Sequence, residues 1–249
     1  MGKARAASAA ASVVVATGLL AGCGGSSAGT KAPPPWSSGG PQQDGLVSGR
    51  LPTGSPARKV VDTGTWSFSL GSTSDPNVPT TQWPSADSVL TADQLKAAIP
   101  EATAVSLGAC VKGVSGPNQT SKNASCTWSL SLKGGAGYTN SIVVTIVAIG
   151  ADNTGSGVTS AWTATRNKNF ASRASTERYF TQGSFGAKGS YDLDNDQASV
   201  LISDGNIAAW IDLTFRGFND LNDTQNTLMT GVFPVLAKDL ADRLPRKYA

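Results

Sequence analysis

The stretch Ser199-Val200-Leu201-Ile202-Ser203-Asp204-Gly205-Asn206-Ile207-Ala208-Ala209-Trp210-Ile211-Asp212-Leu213-Thr214-Phe215 sets two apolar runs around an Asp-Gly dipeptide. A type I′ turn needs positive φ at both central residues, and Asp204-Gly205 adopts it at little cost. The stretch therefore predicts a β-hairpin with strands over 199–203 and 206–215. Ile207, Ala209, Ile211, Leu213 and Phe215 alternate and line one face. Trp210 is out of phase with them and shares its side with Asp212 and Thr214. Packing against a helix is the default for a strand tryptophan. Among the six tryptophans, Trp210 is nevertheless the one whose position argues for exposure, which makes it the candidate recognition surface.

A second hairpin lies upstream. Cys126, Trp128, Leu130 and Leu132 alternate, residues 134–137 turn at glycines, and residues 138–149 return as a Val/Ile-rich strand. Trp66, Phe68 and Leu70 alternate within residues 60–70 and mark a further candidate strand. Helices separate and follow these runs. Leu90-Thr91-Ala92-Asp93-Gln94-Leu95 is a complete helix start: Thr91 caps, Gln94 closes the capping box and Leu90 staples onto Leu95. That helix must stop before Pro100. Residues 158–174 are a second helical candidate, with Ala161, Trp162 and Phe170 facing inward. Leu228, Val232, Leu236, Leu240 and Leu244 recur every four residues in a third, where Pro234 must kink or split the helix. The fold class that follows is α+β: an antiparallel β-sheet built from hairpins, with helices packed on one face.

The 249-residue chain begins with a leader. Lys3 and Arg5 are followed by an uncharged, Ala-, Val- and Leu-rich run ending Leu20-Ala21-Gly22-Cys23. About 16 weakly apolar residues fall short of the ~20 that span a bilayer, so the run reads as a secretion signal. The Leu-Ala-Gly-Cys ending resembles the bacterial lipobox, in which the cysteine thiol is acylated and the bond before it is cut. That resemblance implies lipidation of Cys23, with two acyl chains, the number that stable anchoring takes. From residue 24 to residue 45, 14 of 22 residues are Gly, Ser or Pro, a composition that buries too little apolar surface to order itself. The expected organisation is a signal peptide over 1–22, a lipidated cysteine and disordered tether over 23–58, and one α+β extracytoplasmic domain over 59–249. A tether of about 35 residues reaches roughly 30–35 Å.

Removal of Cys23 from the count leaves Cys110 and Cys126, an even number in an exported chain, which favours a disulfide over a reduced pair. The net charge of +3 includes Lys3 and Arg5, so the mature side chains are almost neutral and nucleic acid is not an expected partner. Arg243, Arg246 and Lys247 fall at a helix C-terminus, where the helix dipole favours cations.

The chain has no histidine, which excludes Ser-His-Asp and Cys-His hydrolases and His-ligated metals. Ser-x-x-Lys, the P-loop and Gly-x-Gly-x-x-Gly are also missing. Gly25-Ser26-Ser27-Ala28-Gly29 matches a nucleophile elbow in pattern only, since it lies in the tether. Asp192-Leu193-Asp194-Asn195-Asp196 resembles the start of a calcium loop, but Gln197 stands where Gly is needed and Ser203 where the bidentate Glu belongs. No catalytic residue, cofactor or metal site is expected.

The helix start at 90–95, Cys110, Cys126-Thr127-Trp128, and the segments 183–191 and 203–206 together resemble a large group of actinobacterial lipoproteins. These carry a Cys-x-Trp motif, have no assigned biochemical function, and are similar in layout to extracellular sensor domains of receptor kinases. The likeness runs from about residue 88 to residue 244. The commoner pattern has a further cysteine pair toward the C-terminus, and this chain has only one. The anchor, the spacer and the absence of a catalytic constellation point to a non-enzymatic cell-membrane lipoprotein that binds an envelope component or a membrane sensor. The resemblance implies one version of this, a modulator of a sensor kinase or envelope-stress system. The alternative is a solute- or lipid-binding lipoprotein.

Overall fold

A computed structural model describes residues 43–44, 53–64, 83–111, 123–134, 139–151, 157–173, 177–180, 188–192, 197–203 and 207–243. The central element is an eight-stranded sheet built from two antiparallel meanders. The first consists of β2 (Ala102–Val111), β3 (Ala124–Leu132) and β4 (Asn140–Ala151); the second consists of β5 (Glu177–Phe180), β6 (Lys188–Asp192), β7 (Gln197–Ser203) and β8 (Ile207–Arg216). A two-residue strand, β1 (Gln43–Asp44), adds parallel to β5. The spatial order is β1-β5-β6-β7-β8-β4-β3-β2, so the two meanders join where β8 pairs with β4.

Helix α1 (Ala92–Ala98) starts as its capping box requires. The Thr91 N–H donates to Gln94 Oε1 at 2.9 Å, and the Gln94 N–H donates to Thr91 Oγ1 at 3.3 Å. Leu90 and Leu95 are both fully buried, and the helix ends two residues before Pro100. The last helical segment is α3 (Thr224–Thr227), a π-helical turn over Leu228–Val232, and α4 (Phe233–Arg243). Pro234 lacks an N–H and its ring crowds the carbonyl four residues back, so the ladder changes register just before it. A strict four-residue repeat drifts by about 40° per step on an α-helix. The wider π turn takes up part of that drift, and Leu228, Val232, Leu236 and Leu240 are all buried in the main core.

Strand parity divides the apolar residues between two faces. Ala209, Ile211, Leu213 and Phe215 of β8 meet Ile142, Val144 and Ile146 of β4, Val200 of β7, and the helices α1 and α4. Leu201, Ala208 and Trp210 point the other way and meet Val158 and Trp162 of α2 (Val158–Arg173). The α+β class, the antiparallel hairpins and the disulfide are as the sequence implies. The placement of the helices is refined: α1 and α4 cover one face, while α2, the crossover between the meanders, covers part of the other.

Three further readings change. Ser203 pairs with Ala208, whereas a two-residue Asp204-Gly205 loop would bring it opposite Asn206. An even shift leaves every side chain on its own face, so the hydrophobic pattern survives. Of the candidate strand over 60–70, only 60–64 is described, and it runs as a strap over α1 and α4; Trp66, Phe68 and Leu70, whose alternation marks the strand, lie outside the described residues. The expected disorder over 23–58 does not extend to its end: Gln43–Asp44 pairs with β5, and Arg58 forms an ion pair with Glu101. Ala161 is exposed and not inward-facing.

Gly217 follows β8 at φ 72°, where a Cβ would overlap the Thr139 carbonyl. Only glycine lets the chain pass this close to the start of β4.

Trp162 is fully buried and is the main apolar anchor of α2. Trp162→Ala is expected to destabilise the domain by about 3–5 kcal/mol in urea unfolding. It should also expose Trp210, read as a red shift and stronger iodide quenching of its fluorescence.

Candidate functional site

The sequence points to Trp210, and the structure corrects that reading. Its side chain is 8% exposed, covered by Val158 and Trp162 of α2. Alternation placed it on the right face; the helix folding over that face removes it from solvent. What remains open is Asp212, two residues along on the same face. The Trp210 indole N–H donates to Asp212 Oδ1 at 3.2 Å. The Ser199 hydroxyl, from the directly opposite position on β7, donates to the same oxygen. Arg166 Nη2 of α2 stands 3.6 Å away, and its guanidinium lies 5.5 Å from the Trp162 ring centroid.

This cluster joins the middle of α2 to the sheet through Arg166. The Asp212 side chain keeps 36% of its surface exposed, while Arg166 is nearly buried. A carboxylate that accepts a serine hydroxyl bond without an imidazole between them lacks the relay that makes serine a nucleophile. Its chemistry is hydrogen bonding and charge, which suits recognition. Sequence reading placed Asp212 beside Trp210, but nothing local signalled Arg166 or Ser199.

Beyond α2 the same face is lined by hydroxyls. Ser125, Thr127 and Ser129 of β3, Ser141 and Thr145 of β4, and Thr214 of β8 are half-buried, and Ser131 is exposed. Cross-strand register sets Ser129 opposite Ser141, and Ser125 opposite Thr145. The result is a polar sheet surface that ends in the charged pair Asp212 and Arg166.

Cys110 and Cys126 form a disulfide between directly opposed residues of β2 and β3. Cys126 is buried in the main core, whereas Cys110 lies on the exposed edge strand. The Asp87 carboxylate stands beside both sulfurs. Sulfurs bonded to each other present no thiolate, so these three side chains do not form a metal-ligating set. Cys23, and the stretch 193–196 of the acidic cluster, lie outside the described residues. No helix among the described residues is long and apolar enough to cross a membrane.

Asp239 of α4 is 1% exposed. Burial pushes its carboxyl from the ordinary 3.8 up to about 7; Asp242 adds to the rise, while the Val61 amide, the Gln94 side chain and Lys238 oppose it. Unfolded, the group ionises near 3.8, so across the window from about 4 to 7 the native state holds a proton that the unfolded state has lost. Stability is then complete below the unfolded value and falls as pH rises through about 7. Urea midpoints should decline from pH 5 to pH 8, and Asp239→Asn should flatten that slope.

Loss of the cross-link is expected to cost about 3 kcal/mol, from the chain-entropy model for a loop of this size. Urea unfolding of the Cys110→Ala/Cys126→Ala protein measures it; an unchanged midpoint would show the disulfide to be energetically idle.

No family model, no curated protein and no solved structure matches the chain.

Proposed function

We propose that this protein is a non-enzymatic, lipid-anchored extracytoplasmic lipoprotein whose folded domain binds an envelope component or modulates a membrane sensor of envelope stress. The observation that carries the reading is Leu20-Ala21-Gly22-Cys23 closing a short, uncharged, Ala-rich run behind Lys3 and Arg5. An acylated Cys23 would hold the domain at the outer face of the cell membrane on a leash rich in Gly, Ser and Pro. The lack of histidine removes the commonest general base and metal ligand. The likeness to actinobacterial Cys-x-Trp lipoproteins and to sensor-kinase ectodomains supports the same reading.

The domain's chemistry suits surface recognition. Leu95, Ile99, Phe233, Leu236 and Leu240 fill the space between helices and sheet against Ile142, Ile146 and Ile211. That filling favours a partner bound at the surface over the alternative, a solute- or lipid-binding lipoprotein with its ligand between the layers. The hydroxyl rows of β3 and β4, with Asp212 and Arg166 beside them, offer hydrogen bonds without an apolar patch.

Detergent phase separation of membranes tests the anchor. The parent protein is expected in the detergent phase with an acylated N-terminal peptide by mass spectrometry, and Cys23→Ser in the aqueous phase with its leader uncut. Identical partition and processing of the two would remove the basis of the proposal.

A further inference from the structure

Residues 58–62 are held to the domain by polar contacts more than by packing. Arg58 places both guanidinium nitrogens on Glu101, at 2.9 and 2.6 Å, and donates to the Ala98 carbonyl at 2.7 Å. The Lys59 N–H donates to the Ala97 carbonyl at 3.1 Å. Val60 is 44% exposed and Val61 half-buried, so little apolar area secures this segment. At Val61 the strap touches two helices. Its carbonyl accepts from Gln94 Nε2 of α1 at 3.2 Å, and its N–H donates to Asp239 Oδ1 of α4 at 2.9 Å.

Asp239 has only this one hydrogen bond to the strap, made across 178 residues of sequence. Its other oxygen, Oδ2, is buried and has no hydrogen-bond partner among the described residues. The flanking Leu236 and Leu240 are fully buried. A neutral acid is compatible with such a place. A carboxylate faced only by the neutral Val61 N–H and Gln94 amide is not, because its lost hydration is incompletely replaced.

We propose that the strap over residues 58–62 is a pH-sensitive latch, closed on α4 while Asp239 carries its proton and opened there when that proton is lost. Lifting Val61 away costs ionised Asp239 an N–H bond that by itself favours the carboxylate, but relieves part of the burial that is the larger effect and lets the charge recover hydration. The charges acting on Asp239 come from its own helix, Asp242 and Lys238, which also pair with each other. The strap and α1 face it with neutral groups, the Val61 N–H and the Gln94 amide. Arg58 is engaged by Glu101 and does not neutralise Asp239. The Arg58 fork remains closed in either state, so the latch opens from Lys59 onward and the N-terminal anchorage at Arg58 persists. The shift of burial that raises the Asp239 carboxyl to about 7 sets the midpoint near neutrality.

The latch stands independently of the lipid anchor, because it depends only on contacts within the folded domain. Amide hydrogen exchange of the full-length protein in detergent at pH 6 and pH 8, corrected for the intrinsic rate, reads the Val61 N–H directly. The ionised-to-protonated ratio rises 100-fold over two pH steps, and Val61 protection is expected to fall at least tenfold while β4 and β8 amides stay protected. Asp239→Asn keeps an acceptor for Val61 and cannot ionise, so its protection should not depend on pH. Equal wild-type protection at both pH values would overturn the latch without any variant. A folded Asp239→Asn protein that loses Val61 protection as the parent does would also overturn it.

Discussion

Strand β8 carries apolar side chains on both faces, and neither face can be left in water. Ala209, Ile211, Leu213 and Phe215 bring α1 and α4 to one side, while Ala208 and Trp210 bring α2 to the other. Its neighbours are fixed by the same requirement, since β4 and β7 flank it and repeat its two-sided burial through Ile146, Val147, Val200 and Leu201. Burial at roughly 25 cal/mol per Å² makes this central seam the main source of stability. Away from it the sheet thins to single-sided cover. β3 buries Cys126, Trp128, Leu130 and Leu132 on one face and presents serine and threonine on the other.

The outer strand β2 shows how such a sheet ends. Its ten residues are uncharged and mostly exposed, with Leu107 and Val111 on the surface. An edge of this kind invites pairing with another chain. Two irregularities interrupt its ladder, between Ala102 and Ala104 and between Leu107 and Cys110, and the disulfide ties its far end to β3. Bulges bend and twist an edge away from a flat template, so exposed apolar side chains are tolerated here. Polar contacts do comparable work beside the start of this strand, where Arg58, Gln94 and Asp239 hold a strap that apolar packing does not.

Much of this architecture was legible in residue order, for identifiable reasons. The capping box at Thr91 and Gln94 is a local contact between residues three apart, so no tertiary information is needed to see it. The β3–β4 and β7–β8 pairings follow from alternation. β2 was not legible, because its bulges break the period of two and its edge position relaxes the demand for buried residues. The short β5 and β6 carry no clear alternation either. At the candidate site, Trp210 and Asp212 were correctly placed on one face. Arg166 was out of reach because it arrives from a helix whose docking depends on the whole sheet, and Asp239 reads in sequence as one more polar position on an amphipathic helix.

Sequence alone determined the chemistry available: three cysteines, no imidazole, and which side chains share a face. These are matters of composition and short-range periodicity, and they need no partner to be true. Only the tertiary structure decided which faces are covered. Trp210 is dry because α2 crosses above it, and the Asp239 carboxyl is pushed up to about 7 because folding buries it. Exposure and acidity are properties of the surroundings, and those surroundings are assembled from residues far apart in the chain.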